Sequence, residues 1–111
     1  MKTRPQPTSE LTVLQVVQQQ IVGCTLCPRL RVYGENIGEV KRRMYRDQEY
    51  WAKPVPGFGD PNARIHVLGL APGAHGANRT GRPFTGDASG DFMYDVLHEL
   101  GLASKPRALY A

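Results

Sequence analysis

A glycine-rich loop of nineteen residues, between a predicted strand and a predicted helix, constrains this chain more than any other feature. The loop covers residues 69–87 and contains five glycines. It follows an apolar run over 65–68, around which the pattern predicts a buried strand over 64–70. Loops of this length in a compact α/β unit are usually functional, and glycine lets the backbone approach a ligand closely. The sequence therefore places the candidate site in residues 69–87.

The loop carries few polar side chains and one aromatic ring, a composition that suits a flat polar ligand beside a phosphate chain. These side chains include His75, Asn78, Arg79, Thr80, Arg82 and Asp87, with Phe84 as the aromatic. Neither a Walker A sequence nor the G-x-G-x-x-G fingerprint is present, so the common nucleotide loops are excluded. The ring suits either a packing plug or a stacking platform, and the aspartate either a helix cap or a group that orients water.

The remaining segments predict helices around this loop. A first helix is predicted to follow a loose tail over 1–8, with Ser9 as N-cap and Gly23 at its end. Residues 29–50 predict one or two more helices, and the proline-rich segment 54–61 is irregular. A last helix is predicted with Ser89 as its cap, Gly101 at its end and an apolar face of Phe92, Met93, Val96, Leu97 and Leu100.

Only one buried strand is predicted, and a single strand cannot form a sheet. Continuous apolar strands of this kind lie inside parallel sheets that are covered on both faces. We therefore expect an α/β fold that is incomplete as given. The chain either dimerises or, as we expect, is the N-terminal part of a longer protein. His66 on the strand is predicted to be packed, and His98 to lie on the exposed side of the last helix.

Basic and aromatic residues interleave between residues 28 and 53. Seven basic residues stand there against four acidic ones, with Tyr33, Tyr45, Tyr50 and Trp51 among them. This pattern suits a nucleic-acid backbone, and a solvated surface is the alternative. The sequence has no signal peptide and no apolar run long enough to span a bilayer, so we expect a cytoplasmic protein without a membrane partner.

Cys24 and Cys27 supply two soft ligands on one turn. The spacing fits zinc, an iron–sulfur cluster or a thiol redox pair, and two buried inert thiols are the alternative. Thiol redox motifs open a helix after a strand, whereas this pair follows a predicted helix. A structural disulfide is not expected in the cytosol. Either metal site needs two further ligands.

Three blocks in this order resemble the family 5 (type b) uracil-DNA glycosylases, an iron–sulfur branch of the uracil-DNA glycosylase superfamily. The blocks are residues 24–30, residues 41–61 and the loop 69–87. The resemblance covers residues 20–105, and the third block is the most specific. It implies that residues 9–111 are the N-terminal half of a three-layer α/β/α sandwich on a short parallel sheet. The implied enzyme hydrolyses the N-glycosidic bond of uracil, and of other deaminated bases, after base flipping.

The resemblance also implies roles for individual residues. Cys24 and Cys27 are two of the four ligands of a 4Fe–4S cluster. Ala71 stands where the better-known branch carries a water-positioning aspartate, so Asp87 takes the water or charge role and Phe84 stacks on the flipped base. The other candidates are Asn78 for catalysis, Gly69, Leu70, Gly73 and His75 for the base, and Arg79, Arg82, Lys41, Arg42 and Arg43 for DNA.

The family's second cysteine pair and its later histidine motif are absent from these residues. We therefore expect the full-length protein, and not the 111 residues alone, to be active on uracil-containing DNA. We also expect the full-length protein to be a monomer. Two other functions remain open at this stage. One is a zinc-binding module without catalysis, and the other is a phosphate- or nucleotide-binding module that uses the glycine loop.

Overall fold

The computed structural model describes residues 12–108, which form four α-helices and one short 3₁₀ helix. The helices are α1 (Val13–Val22), α2 (Pro28–Val40), the 3₁₀ helix (Arg43–Tyr45), α3 (Ala77–Thr80) and α4 (Ala88–Glu99). The predicted tail over 1–8 lies outside the described residues. Within the described range, none of the helices has the length and apolar character needed to cross a membrane.

Helix α1 begins at a different cap from the one predicted. Thr12 is the N-cap, and its hydroxyl accepts a hydrogen bond from the Gln15 backbone N–H at 3.1 Å. The Gln15 side chain accepts in return from the Thr12 backbone N–H at 2.9 Å. This reciprocal capping box satisfies two backbone donors, which is why the helix begins here and the predicted cap, Ser9, is wrong. The predicted end at Gly23 is confirmed.

The predicted strand over 64–70 is not formed. Residues 12–108 contain no strand, and Ile65, Leu68 and Leu70 are 71%, 85% and 103% exposed. A strand needs a neighbour that pairs with its backbone N–H and C=O groups, and the described residues supply none. The predicted packing of His66 is also wrong, because its side chain is exposed.

Helix α4 begins one residue after Asp87, which replaces the predicted Ser89 as N-cap. The Asp87 carboxylate accepts from the Gly90 backbone N–H at 2.9 Å. The helix ends just before Gly101, as predicted, and that glycine has a φ of 78°. The predicted apolar face exists in sequence, but Phe92 is 75% exposed in the described structure. His98 is exposed, as predicted.

The best-packed region lies where residues 50–52 meet α3. The backbone N–H groups of Trp51 and Ala52 donate to the carbonyls of Arg79 and Asn78 at 3.0 and 2.9 Å. These hydrogen bonds satisfy two carbonyls of the four-residue helix α3, which is too short to supply partners for them from a further turn. Tyr50, Ala77 and Asn78 are buried around this junction. The candidate loop is therefore anchored through its centre.

Candidate functional site

The Phe84 ring lies against the backbone at the start of the loop. A Cβ on Gly69 would stand 2.9 Å from the ring carbon Cζ, so only glycine permits this contact. Phe84 has a φ of 53°, which non-glycine residues rarely adopt. Backbone strain of this kind persists where the surrounding structure imposes it, and it clusters at functional sites. The structure thus brings two predicted base-binding residues together, with Leu70 and Ala71 exposed beside them.

The Asp87 carboxylate lies against a second pair of glycines. A Cβ on Gly73 would stand 2.8 Å from Asp87 Oδ2, and a Cβ on Gly76 would overlap the same oxygen. Oδ1 of this carboxylate is the cap of α4. The aspartate therefore has one oxygen assigned to the helix and the other facing the loop backbone. The capping role and the predicted catalytic role are geometrically compatible.

Gly76→Ala tests how closely the loop packs on Asp87. We expect a loss of about 1–3 kcal/mol in the free energy of unfolding of the full-length protein, the usual cost of overpacking. Gly57→Ala is the matched control, because a Cβ there meets nothing within 4 Å. Thermal or denaturant unfolding measures both variants. Equal stabilities would contradict the close approach of the carboxylate to Gly76.

Arg79 connects distant parts of the loop through hydrogen bonds of its side chain. Its Nε donates to the His75 carbonyl at 2.7 Å and its Nη2 to the Gly86 carbonyl at 3.1 Å. Its Nη1 donates to Gln48 Oε1 at 2.8 Å, and the guanidinium lies 3.9 Å from the centre of the Tyr45 ring. One side chain therefore joins the two halves of the loop to the basic segment. Its contact with DNA stays a prediction.

Asn78 also turns inward. It is buried, and its Nδ2 donates to the carbonyls of Gly34 at 3.2 Å and Ala74 at 3.3 Å. The first bond links the loop to α2, and the second fixes the turn before α3. In this structure the amide holds the loop in place, and its catalytic role stays a prediction.

His75 is paired with a buried tyrosine. Its Nδ1 lies 2.8 Å from the Tyr50 hydroxyl, which also accepts from the Arg42 backbone N–H at 3.3 Å. Burial lowers the pKa of His75 below its ordinary 6.5, and the charges of Arg42 and Arg79 lower it further. The imidazole is therefore neutral at pH 7 and acts as a hydrogen-bonding group instead of a cation.

An NMR titration of His75 in the full-length protein should give a midpoint below 6.5. Arg42→Gln should raise this midpoint, because it removes one positive charge, whereas the exposed Arg46→Gln should leave it unchanged. Because the pKa of His75 is lower in the folded state, the unfolded state binds the proton first as the pH falls. This histidine therefore lowers the free energy of unfolding as the pH falls through 6.5, and it has no such effect well above pH 6.5. A wild-type midpoint at or above 6.5 would contradict the environment described.

The other predicted DNA-binding residues differ in exposure. Arg42 and Arg43 are exposed. Lys41 donates from Nζ to the Gln48 carbonyl at 2.6 Å. Arg82 is half-buried, and its guanidinium lies 3.9 Å from the centre of the Phe58 ring. Two of the four side chains thus present their charge on the surface, and the other two have contacts within the chain.

The two cysteines occupy the junction between α1 and α2. Cys24 follows the end of α1 and is half-buried, and Cys27 is the N-cap of α2 and is exposed. Both thiols are free, and exposure of the second argues against a pair of buried inert thiols. Residues 12–108 contain no cluster of three or more side chains that could hold a metal ion. The described residues therefore offer a ligand pair, not a complete site.

Some of these contacts were not predicted from the sequence. Tyr50 was noted only as one of several aromatics among basic residues, yet it anchors His75. Thr85, fully buried, donates to the Pro83 carbonyl at 2.9 Å. Gln48 binds Arg79 without any sequence signal. The order of aromatic residues in the sequence does not show that the Tyr50 hydroxyl contacts the imidazole of His75, which lies 25 residues later.

Comparison with known proteins places the candidate loop in a recognised family. Residues 56–110 match the family model of the uracil DNA glycosylase superfamily. The chain is 62% identical over 91 residues to a type-5 uracil-DNA glycosylase of Thermus thermophilus, covering 82% of this chain. It is 53% identical over 92 residues to the type-5 enzyme of Mycobacterium leprae, covering 83%. The Pyrobaculum aerophilum enzyme is 51% identical over 87 residues, covering 78%.

These matches confirm the resemblance seen in the sequence. The fold of the superfamily is of the α/β class, whereas residues 12–108 contain helices and no strand. The chain spans only about two fifths of the length of these relatives, at 41%, 40% and 38%. The matched region 56–110 contains the whole loop 69–87, whereas both cysteines lie outside it. The match to the superfamily model therefore supports the loop and does not bear on the cysteines.

Proposed function

We infer that the chain belongs to the uracil DNA glycosylase superfamily as part of a type-5 uracil-DNA glycosylase, and that the full-length protein removes uracil from DNA. One observation carries this proposal. Phe84 lies on Gly69, and Asp87 lies on Gly73 and Gly76, all within the region that matches the superfamily. The Phe84 ring and the Asp87 carboxylate therefore both pack on the backbone of the segment 69–76, at its glycines.

The proposed reaction, hydrolysis of the bond between uracil and its sugar, uses both the ring of Phe84 and the carboxylate of Asp87. A glycosylase must flip the target base out of the stack, and the Phe84 ring provides an apolar face for it. The bond between the sugar C1′ and the uracil nitrogen breaks, and its electron pair leaves with the base. Water adds its oxygen to C1′, and its proton balances the charge on the departing uracil. Asp87 orients that water or stabilises the positive charge that develops on the sugar.

The exposed apolar segment 64–70 supports a parallel sheet in the full-length protein. Its side chains at Ile65, Val67 and Leu68 are 71%, 50% and 85% exposed in this structure. Apolar residues in such a run are usually covered on both faces of a parallel sheet. We propose that this segment pairs there and forms one strand of an α/β/α sandwich. The loop would then follow the carboxyl end of the strand, where α/β proteins bind ligands.

A 4Fe–4S cluster is proposed at Cys24 and Cys27, with two further ligands from outside residues 12–108. Two features fit this group. The cysteines are free on one turn, and the buried Nε of Arg31 beside them has no hydrogen-bond partner among the described residues. Thiolate ligands and nearby donors are what such clusters require. The cluster would stabilise the fold of this junction, and the excision step needs no electron from it.

DNA is the proposed partner, and the exposed Arg42 and Arg43 are the side chains best placed for its phosphates. Other deaminated bases, a monomeric full-length protein and a cytoplasmic location remain part of the same proposal.

An oligonucleotide assay tests the proposed function. Strands with one uracil or one hypoxanthine are incubated with the full-length protein and then cleaved with alkali at abasic sites. Cleavage at uracil, and none at thymine, is expected. A folded protein that binds zinc or phosphate without cleavage would refute the proposal.

A further inference from the structure

Arg31 links the two cysteines of the C-x-x-C turn. Its Nη1 donates to the Cys24 carbonyl at 2.6 Å, and its backbone N–H donates to the Cys27 carbonyl at 3.0 Å. The first bond reaches back over seven residues, from the first turn of α2 to the end of α1. One residue therefore fixes the carbonyls at both ends of the turn.

The remaining contacts of this side chain keep the guanidinium in place. Nη2 lies 3.5 Å from Glu35 Oε2, one helical turn further along α2, and the Arg31 side chain is 25% exposed. The arginine is thus held from the helix side while it binds the turn. Arg29, two residues earlier, is exposed and supplies a natural comparison.

We propose that Arg31 is a positioning residue that holds Cys24 and Cys27 as a preorganised ligand pair. This inference rests on the proposed cluster. Two thiolates bind one metal group well only if their backbones are already at the right separation, since otherwise binding must also order the turn. Groups that orient metal ligands in this way are typically worth about 10- to 100-fold in metal affinity. The positive charge also offsets the negative charge of the thiolates.

The test compares variants of the full-length protein purified without oxygen. Iron and sulfide per protein are measured first, and the loss of absorbance near 400 nm is then followed in excess chelator. Arg31→Gln is expected to lose the cluster about tenfold faster than the wild type, in line with the usual effect of removing a ligand-orienting group. Arg31→Lys keeps the charge without the planar fork and should lie between them. Arg29→Gln is the matched control, and Cys24→Ser gives the reference for a missing ligand.

Each outcome decides the inference. Fast loss in Arg31→Gln with wild-type behaviour in Arg29→Gln supports it. Equal rates in these two variants overturn it, as does a wild-type protein that contains no iron and sulfide. Uracil excision by the wild type is measured in parallel. A protein that excises uracil without iron would overturn the inference about Arg31 and leave the glycosylase proposal standing.

Discussion

Asp87→Ala should slow single-turnover excision of uracil by the full-length protein about a hundredfold, the usual scale for losing one preorganised electrostatic group. The structure gives the physical reason. Oδ1 caps α4 through the Gly90 N–H at 2.9 Å, while Oδ2 faces the glycine backbone of the loop. Because the role proposed for the carboxylate is in the transition state, binding of uracil-containing DNA should change little.

Asp87→Asn separates catalysis from capping. The amide oxygen still accepts from the Gly90 N–H, so helix α4 keeps its cap, but the negative charge is lost. If the charge matters, the asparagine variant is as slow as the alanine variant and as stable as the wild type. Asp91→Asn, in the first turn of the same helix, is the matched control. An Asp87→Asn variant with the wild-type rate would return this residue to a capping role alone.

Phe84→Ala should weaken excision about ten- to a hundredfold, because stacking on one base is worth roughly 1–3 kcal/mol. The role proposed for the ring is stacking on the flipped base, so part of the loss should appear in the binding of uracil-containing DNA. Gel-shift or fluorescence binding together with single-turnover rates measures both parts. Alanine and phenylalanine both carry a Cβ, so the steric cost of the φ of 53° at this position is similar for both and the comparison isolates the ring.

Two further variants at this position distinguish stacking from packing. Phe84→Tyr keeps an aromatic face and should retain most of the activity. Phe84→Leu keeps an apolar side chain without an aromatic face and should resemble the alanine variant. If leucine restores both excision and stability, the ring is a packing plug against Gly69 and the base-stacking assignment is wrong.

Local signals predicted α1, α2 and α4, but not the short helix α3 inside the loop 69–87. The end of α4 before Gly101 follows from the backbone freedom of glycine, because Gly101 has a φ of 78°. The end of α1 at Gly23 was also predicted, although Gly23 has a φ of −87°, which any residue can adopt. The starts were wrong, because Ser9, Thr12, Asp87 and Ser89 are all good caps by residue type. The reciprocal bond with Gln15 favours Thr12, and the cap bond to the Gly90 N–H favours Asp87. Such choices depend on side-chain geometry that composition does not reveal.

Non-local contacts were beyond the reach of sequence patterns. The run 64–70 has the composition of a strand, but strand pairing requires a partner that residues 12–108 do not provide. Within the loop, the residue types of the site were predicted from the resemblance. The inward bonds of Arg79 and Asn78 were not, because an arginine in a glycine-rich loop suits a phosphate as well as a carbonyl. Burial decides between these uses, and sequence spacing alone does not give burial.

We propose that the full-length protein hydrolyses the bond between uracil and its sugar through the loop 69–87. The most direct measurement is the amount of free uracil released per abasic site, with the protein in excess over a DNA strand that carries one uracil. We expect equal amounts of free uracil and abasic sites in an otherwise intact strand, and a much slower release by Asp87→Asn. A folded wild-type protein that releases no uracil would contradict it.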